Sequence, residues 1–303
     1  MPGSRQINDS DVKPIIFREY IGVKPYPNTL HDFPVDIINS NIDQFHFILG
    51  FAIETYDDNG NSTGFFHPYW NVHFFSPEKV KKLKQNYDNV KVVISIGGRD
   101  DKHPFHPASK VDWADNAVNS LKKIIQQYNK VKDPWSFNII DGIDINYEYI
   151  KSDGEDFAYC VGDVIKRLKE DIDVSIDMVS IAPSKQVNSK YHTLYLAHAD
   201  DIDWVDYQFY FETLKSKDEF KNLFLSLSDV YGSKKLLAGA STDPHDACMI
   251  SQEDFLEGVI DLLDAELLRG VFIWNANDSA THAPNGKPFS FEIKVQQLLT
   301  ELG

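Results

Sequence analysis

Cysteine is nearly absent from this chain. Cys160 and Cys248 are the two among 303 residues, too few for a disulfide framework. Cys160 falls in an apolar stripe with Phe157, Val161, Val164, Ile165 and Leu168, so the spacing predicts a buried thiol on a helix. Positive charge is scarce as well. The 30 Lys and Arg against 46 Asp and Glu leave a net charge of −16, which argues against nucleic acid or an anionic membrane as a partner and favours solubility. No apolar run is long enough to span a bilayer. Residues 1–13 are polar, lack the apolar stretch of a secretory leader and read as a flexible N-terminal tail. A cytoplasmic location is the matching expectation, unless a cleaved leader precedes this sequence. Phosphate loops, dinucleotide fingerprints, serine elbows and cysteine nucleophiles are all missing, so no cofactor is expected. His103-Pro104-Phe105-His106-Pro107 lacks the second ligand pair of a metal loop and reads as an ordinary loop, so no metal is expected either.

What the chain does have is apolar and aromatic content, at 42% and 13%, enough for a sizeable core. Short strand-like runs recur at Ile16–Gly22, Phe45–Ile53, Val90–Gly97, Asn138–Asn146, Val174–Ala182, Trp204–Tyr210, Leu236–Ser241 and Val271–Asn275. Helical patterns follow them near Thr29–Asn39, Pro77–Tyr87, Trp113–Tyr128, Asp156–Lys169, Lys190–His198, Asp218–Val230, Gln252–Leu263 and Phe291–Leu302. Ser76-Pro77 with Glu78 is a helix start. Asp57–Gly64, with Asn59-Gly60, predicts the turn of a small hairpin after the second strand. Strand–helix alternation without a break in composition points to an α/β fold, a single (β/α)8 TIM barrel over residues 14–303; a doubly wound sheet is the alternative. A monomer is expected.

One segment carries the chemistry. In Asp141-Gly142-Ile143-Asp144-Ile145-Asn146-Tyr147-Glu148, residues Asp144, Asn146 and Glu148 sit at i, i+2 and i+4 and share one face of a strand. Polar groups lined up on an apolar strand are costly unless they serve something, and paired carboxyls there can build a general acid. Asp141 is out of phase with that face. It is kept among the ligand-binding candidates, although its phase suggests a structural place near the barrel wall. In a barrel, chemistry gathers at the C-terminal strand ends. Ser95 to Arg99, Glu148, Gln208 with Tyr210, and Trp274 to Asn277 would all meet there.

Ser95-Ile96-Gly97-Gly98 followed by Asp141–Glu148 resembles the SxGG and DxxDxDxE pair of glycoside hydrolase family 18. Arg18–Lys24, Ile96–Arg99 and Phe272–Asp278 are similar to the chitinase-like, narbonin-type and nodulin-type proteins of legumes within it. The resemblance implies substrate-assisted hydrolysis of N-acetylglucosamine polymers. A glutamic acid protonates the glycosidic oxygen, the acetamide of the sugar attacks the anomeric carbon, and the third acid of the motif orients and charge-balances it. By that resemblance Glu148 is the acid, Asp144 steers its proton, Tyr210 holds the acetamide oxygen, Gln208 stands beside it and Trp274 is the sugar's floor. The family also places non-proline cis peptides at positions that match Gly50–Phe51 and Trp274–Asn275.

Two departures matter. Asn146 stands where the family has an aspartate, and an amide carries no negative charge. The lost transition-state stabilisation is often ~3–4 kcal/mol, a hundredfold to a thousandfold in rate. Arg99 follows the two glycines on the strand beside Glu148. Neighbouring strands are ~4.8 Å apart, so its side chain is expected to reach the carboxylate, hold it ionised and plug the site. Three readings stay open: a silent relative with a storage or developmental role, a silent barrel that binds an N-acetylglucosamine oligosaccharide or other small ligand, and a slow or altered hydrolase.

Overall fold

The apolar runs assemble into one sheet that closes on itself. The computed structural model describes residues 14–25, 27–98, 101–131, 138–246, 250–282 and 286–302; residues 1–13 and Arg99 lie outside the described residues. The parallel strands are β1 (Ile16–Ile21), β2 (Gln44–Tyr56), β4 (Val90–Gly98), β5 (Gly142–Tyr147), β6 (Met178–Ile181), β7 (Trp204–Tyr207), β8 (Leu236–Ser241) and β9 (Gly270–Trp274). β1 pairs in parallel with both β2 and β9, which closes the ring into a single (β/α)8 barrel. β3 (Ser62–Pro68) runs antiparallel to the 13-residue β2 and forms the expected hairpin above the rim.

Helices pack outside the ring: α1 (Pro77–Asn86), α2 (Lys110–Asn129), α3 (Gly154–Glu170), α4 (Asn188–His198), α5 (Lys217–Tyr231), α6 (Gln252–Asp264), α7 (Ala276–Thr281) and α8 (Ser290–Leu302). Their starts are written in the sequence. Ser76, Ser109, Asp153, Ser216 and Ser251 each accept a backbone N–H three residues on, satisfying a donor that the helix itself cannot. The main core lies between barrel and helices, where Phe47, Ile94, Ile145 and Val205 meet Leu121, Phe157 and Phe224. Cys160 is buried there, and burial pushes its thiol up to about 12. A smaller cluster fills the barrel interior with Ile16, Tyr20, Ile48, Val93, Trp204, Leu237 and Phe272. No helix among the described residues is long and apolar enough to cross a membrane.

Several expected boundaries shift for identifiable reasons. The helix expected over Thr29–Asn39 is a single 3-10 turn at Val35–Ile37. Pro34 lacks an N–H and its ring would clash with the preceding turn, so the apolar spacing of that segment cannot be realised as an α-helix. The fourth run begins at Gly142 rather than Asn138, and the sixth ends at Tyr207, followed by a 3-10 turn at Phe209–Phe211 that carries Tyr210.

Candidate active site

Strand period two puts Asp144, Asn146 and Glu148 along one inward line of β5 and its end, at 0%, 1% and 8% exposure. Asp144 is tied down completely. Its Oδ2 accepts from Tyr20 Oη at 2.8 Å and Ser95 Oγ at 2.6 Å, and its Oδ1 accepts from Ser180 Oγ at 2.7 Å. Ser180 in turn accepts from Arg18 Nη2 at 2.8 Å, while Arg18 Nη1 pairs with Asp206 Oδ2 at 2.7 Å, both side chains fully buried. The interior thus carries a continuous polar chain from β7 through β1 and β6 to β5. Burial raises the Asp206 carboxyl against the pull of the Arg18 guanidinium. Burial, and next the Asp144 charge, hold the Tyr20 phenol well above its usual range, so it stays neutral and keeps the proton it donates to Asp144.

Asn146 meets a second chain of groups. Gln208 Nε2 donates to Asn146 Oδ1 at 3.2 Å and to the Ala182 carbonyl at 2.8 Å, and Tyr210 Oη donates to Gln208 Oε1 at 3.2 Å. Tyr210, Gln208 and Asn146 are therefore brought together. Burial and the nearby Glu148 push the Tyr210 phenol up, keeping it neutral.

Glu148 ends the ladder at the rim, where it lines a cavity of about 110 Å³ with Tyr149, Ser184, Lys185, Gln186 and Phe211. Trp274 is half-buried and packs edge-on to Tyr20, with ring centroids 5.3 Å apart, and against Phe51. The bonds Gly50–Phe51 and Trp274–Asn275 are both cis. The two glycines of β4 have a packing reason. Gly97 has φ +99°, and a Cβ there would stand 2.6 Å from the Asn146 carbonyl oxygen. Only glycine lets β4 pass that close to β5. The expected reach of Arg99 to Glu148 falls outside the described residues.

Asp141 requires a correction. It precedes β5 at the N-terminal end, away from the mouth, and binds Lys84 Nζ with both oxygens at 2.7 Å and the Val92 N–H at 2.7 Å. Lys91 Nζ lies 3.6 Å away. The out-of-phase position makes it a clamp on the barrel floor, not a ligand contact.

One residue at the mouth was not anticipated. Glu54, near the end of β2, is 9% exposed and accepts from Gly64 N–H at 2.7 Å, Trp113 Nε1 at 2.5 Å and Tyr147 Oη at 2.7 Å. Burial outweighs these donors and raises its carboxyl to about 7. It also borders a cavity of about 510 Å³ with Tyr56, Gly97, Gly98, His103 and Tyr147. The signal is a lone acid in the apolar run Phe45–Ile53 and its continuation. Arg18 and Tyr20 could be found in the same way, by their alternation within Ile16–Ile21. Groups of three or more His, Cys, Asp or Glu that could hold a metal do not occur among the described residues.

Residues 26–243 match the family model described as glycosyl hydrolases family 18. Among curated relatives, chitinase 1 of Tulipa saxatilis subsp. bakeri is 36% identical over 297 residues, 95% of this chain and 88% of that protein. The RuBisCO-associated protein of Glycine max is 28% identical over 281 residues, 89% of this chain and 93% of that one. A solved family 18 chitinase from Crocus vernus superposes with a TM-score of 0.81 at 30% identity, covering 94% of this chain and 99% of the other.

Proposed function

The chain belongs to glycosyl hydrolases family 18, and on that premise we propose that it is a chitinase-like barrel whose mouth binds glycans while hydrolysis is strongly reduced. The observation that carries this reading is Asn146, an amide at the middle rung with its oxygen already engaged by Gln208. A neutral amide cannot offset the positive charge that develops when an acetamide attacks the anomeric carbon. The deficit is about 3–4 kcal/mol, or a rate a hundredfold to a thousandfold lower. What supports sugar binding is Trp274 as a half-buried apolar floor and Tyr210 as a hydrogen-bonding group held by the buried Gln208, beside Asp144 in a fixed position.

Residual hydrolysis is the second reading, favoured by the presence of Glu148 at the rim and of Asp144 two rungs below it. A storage or developmental role without a glycan ligand is the third, and would leave the mouth unused. Turnover of labelled chitotetraose at high protein concentration, beside Glu148→Gln as a blank, separates these. The proposal expects wild-type turnover at the level of the blank or barely above it, and at least a hundredfold gain for Asn146→Asp. Wild-type turnover at rates ordinary for hydrolases, abolished by Glu148→Gln, overturns it. Absence of chitotetraose and cellotetraose binding in calorimetry would leave storage.

A further inference from the structure

The amide of Asn146 has a fixed direction, and that direction bears on which sugars the mouth accepts. A carbonyl oxygen only accepts. Ala182 O therefore requires the nitrogen of Gln208, which stands 2.8 Å away, and this orients the whole Gln208 amide. Tyr210 Oη, donating to Gln208 Oε1 on the other side, agrees with that orientation. The same Nε2 lies 3.2 Å from the Asn146 side chain, so the atom that meets it has to be the Asn146 oxygen. The Asn146 nitrogen consequently points away from Gln208.

Nothing among the described residues uses that nitrogen. Asp144, the rung below, has its oxygens taken by three hydroxyls, and Asn146 Nδ2 has no partner among the described residues. It is not among the sealed, unpartnered buried atoms, but Asn146 as a whole is only 1% exposed, so a sugar has to seat closely over the middle rung to reach it. An aspartate in this place would give one oxygen to Gln208 and present the other as an acceptor. Asparagine presents a donor. The exchange thus reverses the hydrogen-bonding sense of the ligand-facing atom, in addition to removing a charge.

We propose that Asn146, locked by Gln208, is a specificity-determining residue that selects β-linked oligosaccharides with a free 2-hydroxyl over 2-acetamido ones. The proposal rests on the reading of the mouth as a glycan site with the sugar's 2-substituent over the middle rung. A hydroxyl oxygen accepts from Nδ2 and keeps its own proton for another partner. An acetamide N–H facing Nδ2 sets donor against donor and leaves both groups desolvated without a bond, an arrangement that costs about tenfold in affinity.

The experiment is titration calorimetry of wild type, Asn146→Asp and Gln208→Met with cellotetraose and with chitotetraose. Wild type is expected to bind cellotetraose at least as tightly as chitotetraose. Asn146→Asp should move the ratio of the two Kd values about tenfold towards chitotetraose. Gln208→Met frees the Asn146 amide to turn its oxygen outward and should move the ratio the same way with no change of charge. A merely structural defect would weaken both sugars together and leave the ratio alone. A tenfold wild-type preference for chitotetraose overturns the inference, whether or not the variants fold. So does a ratio that responds to Asn146→Asp but not to Gln208→Met, since charge alone would then be the cause. In both cases glycan binding itself still stands. If neither sugar binds any of the three proteins, the reading of the mouth as a glycan site falls, and this inference with it.

Discussion

Replacing Glu54 by glutamine should stabilise the protein at alkaline pH and leave it unchanged in mild acid. The carboxyl is raised from an ordinary 4.5 to about 7 by burial. In the unfolded chain it loses its proton near 4.5; in the folded protein it keeps the proton until about 7. Between those values the unfolded state binds fewer protons, so folding stability falls as pH rises, and above the upper one the loss is complete. At ~1.4 kcal/mol per pH unit the loss is about 3 kcal/mol. Glutamine avoids it. Its oxygen can still accept from Gly64 N–H and Trp113 Nε1, and its nitrogen can donate to Tyr147 Oη, where Glu54 now accepts. Urea melts of both proteins from pH 4.5 to 8 isolate the one carboxyl as a difference between them. The expected difference is near zero at pH 4.5 and about 3 kcal/mol in favour of the variant at pH 8, or roughly 6 °C in Tm. A difference that stays flat with pH, or a variant less stable throughout, would mean that the three donors hold Glu54 ionised, and would refute the argument.

Lys84→Met should cost about 3–5 kcal/mol by leaving the Asp141 carboxylate buried without its main partner, yet leave cellotetraose affinity unchanged because the pair lies on the barrel floor. Denaturant melts paired with calorimetry check both halves. Gly97→Ala should destabilise by more than about 2 kcal/mol, since it forces a side chain into a left-handed backbone and against the Asn146 carbonyl. It should also weaken binding of both sugars by displacing the middle rung, which the same calorimetric titrations would register.

The barrel was legible because its cause is local. Each strand is an apolar run, five of the helices begin at a Ser or Asp that caps them, and the alternation of the two admits few closed arrangements. The Thr29–Asn39 error shows the limit of periodicity, because Pro34 decides that segment and apolar spacing does not register a missing N–H. The ladder of Asp144, Asn146 and Glu148 was equally readable, since one strand carries all of it. What could not be read is whatever several strands settle together. The direction of the Asn146 amide depends on Gln208 after β7 and on Ala182 after β6. The raised carboxyl of Glu54 depends on burial among β3, α2 and β5, which outweighs the donors those elements supply. Asp141 sits in the same motif as Glu148, but its role follows from which end of the strand it occupies and from Lys84 on α1.

The seam where β1 meets β9 sets a timetable for synthesis. β1 leaves the ribosome about 250 residues before its partner Gly270–Trp274. At ~5–20 residues per second the wait is roughly 10–50 s. During that time the growing sheet has open edges at β1 and at its most recent strand, each a template for pairing with a foreign strand. A chain with net charge −16 repels its own copies over that interval. The excess of acid that sets the character of the finished surface therefore also serves the unfinished one, on a polysome where identical nascent chains lie side by side.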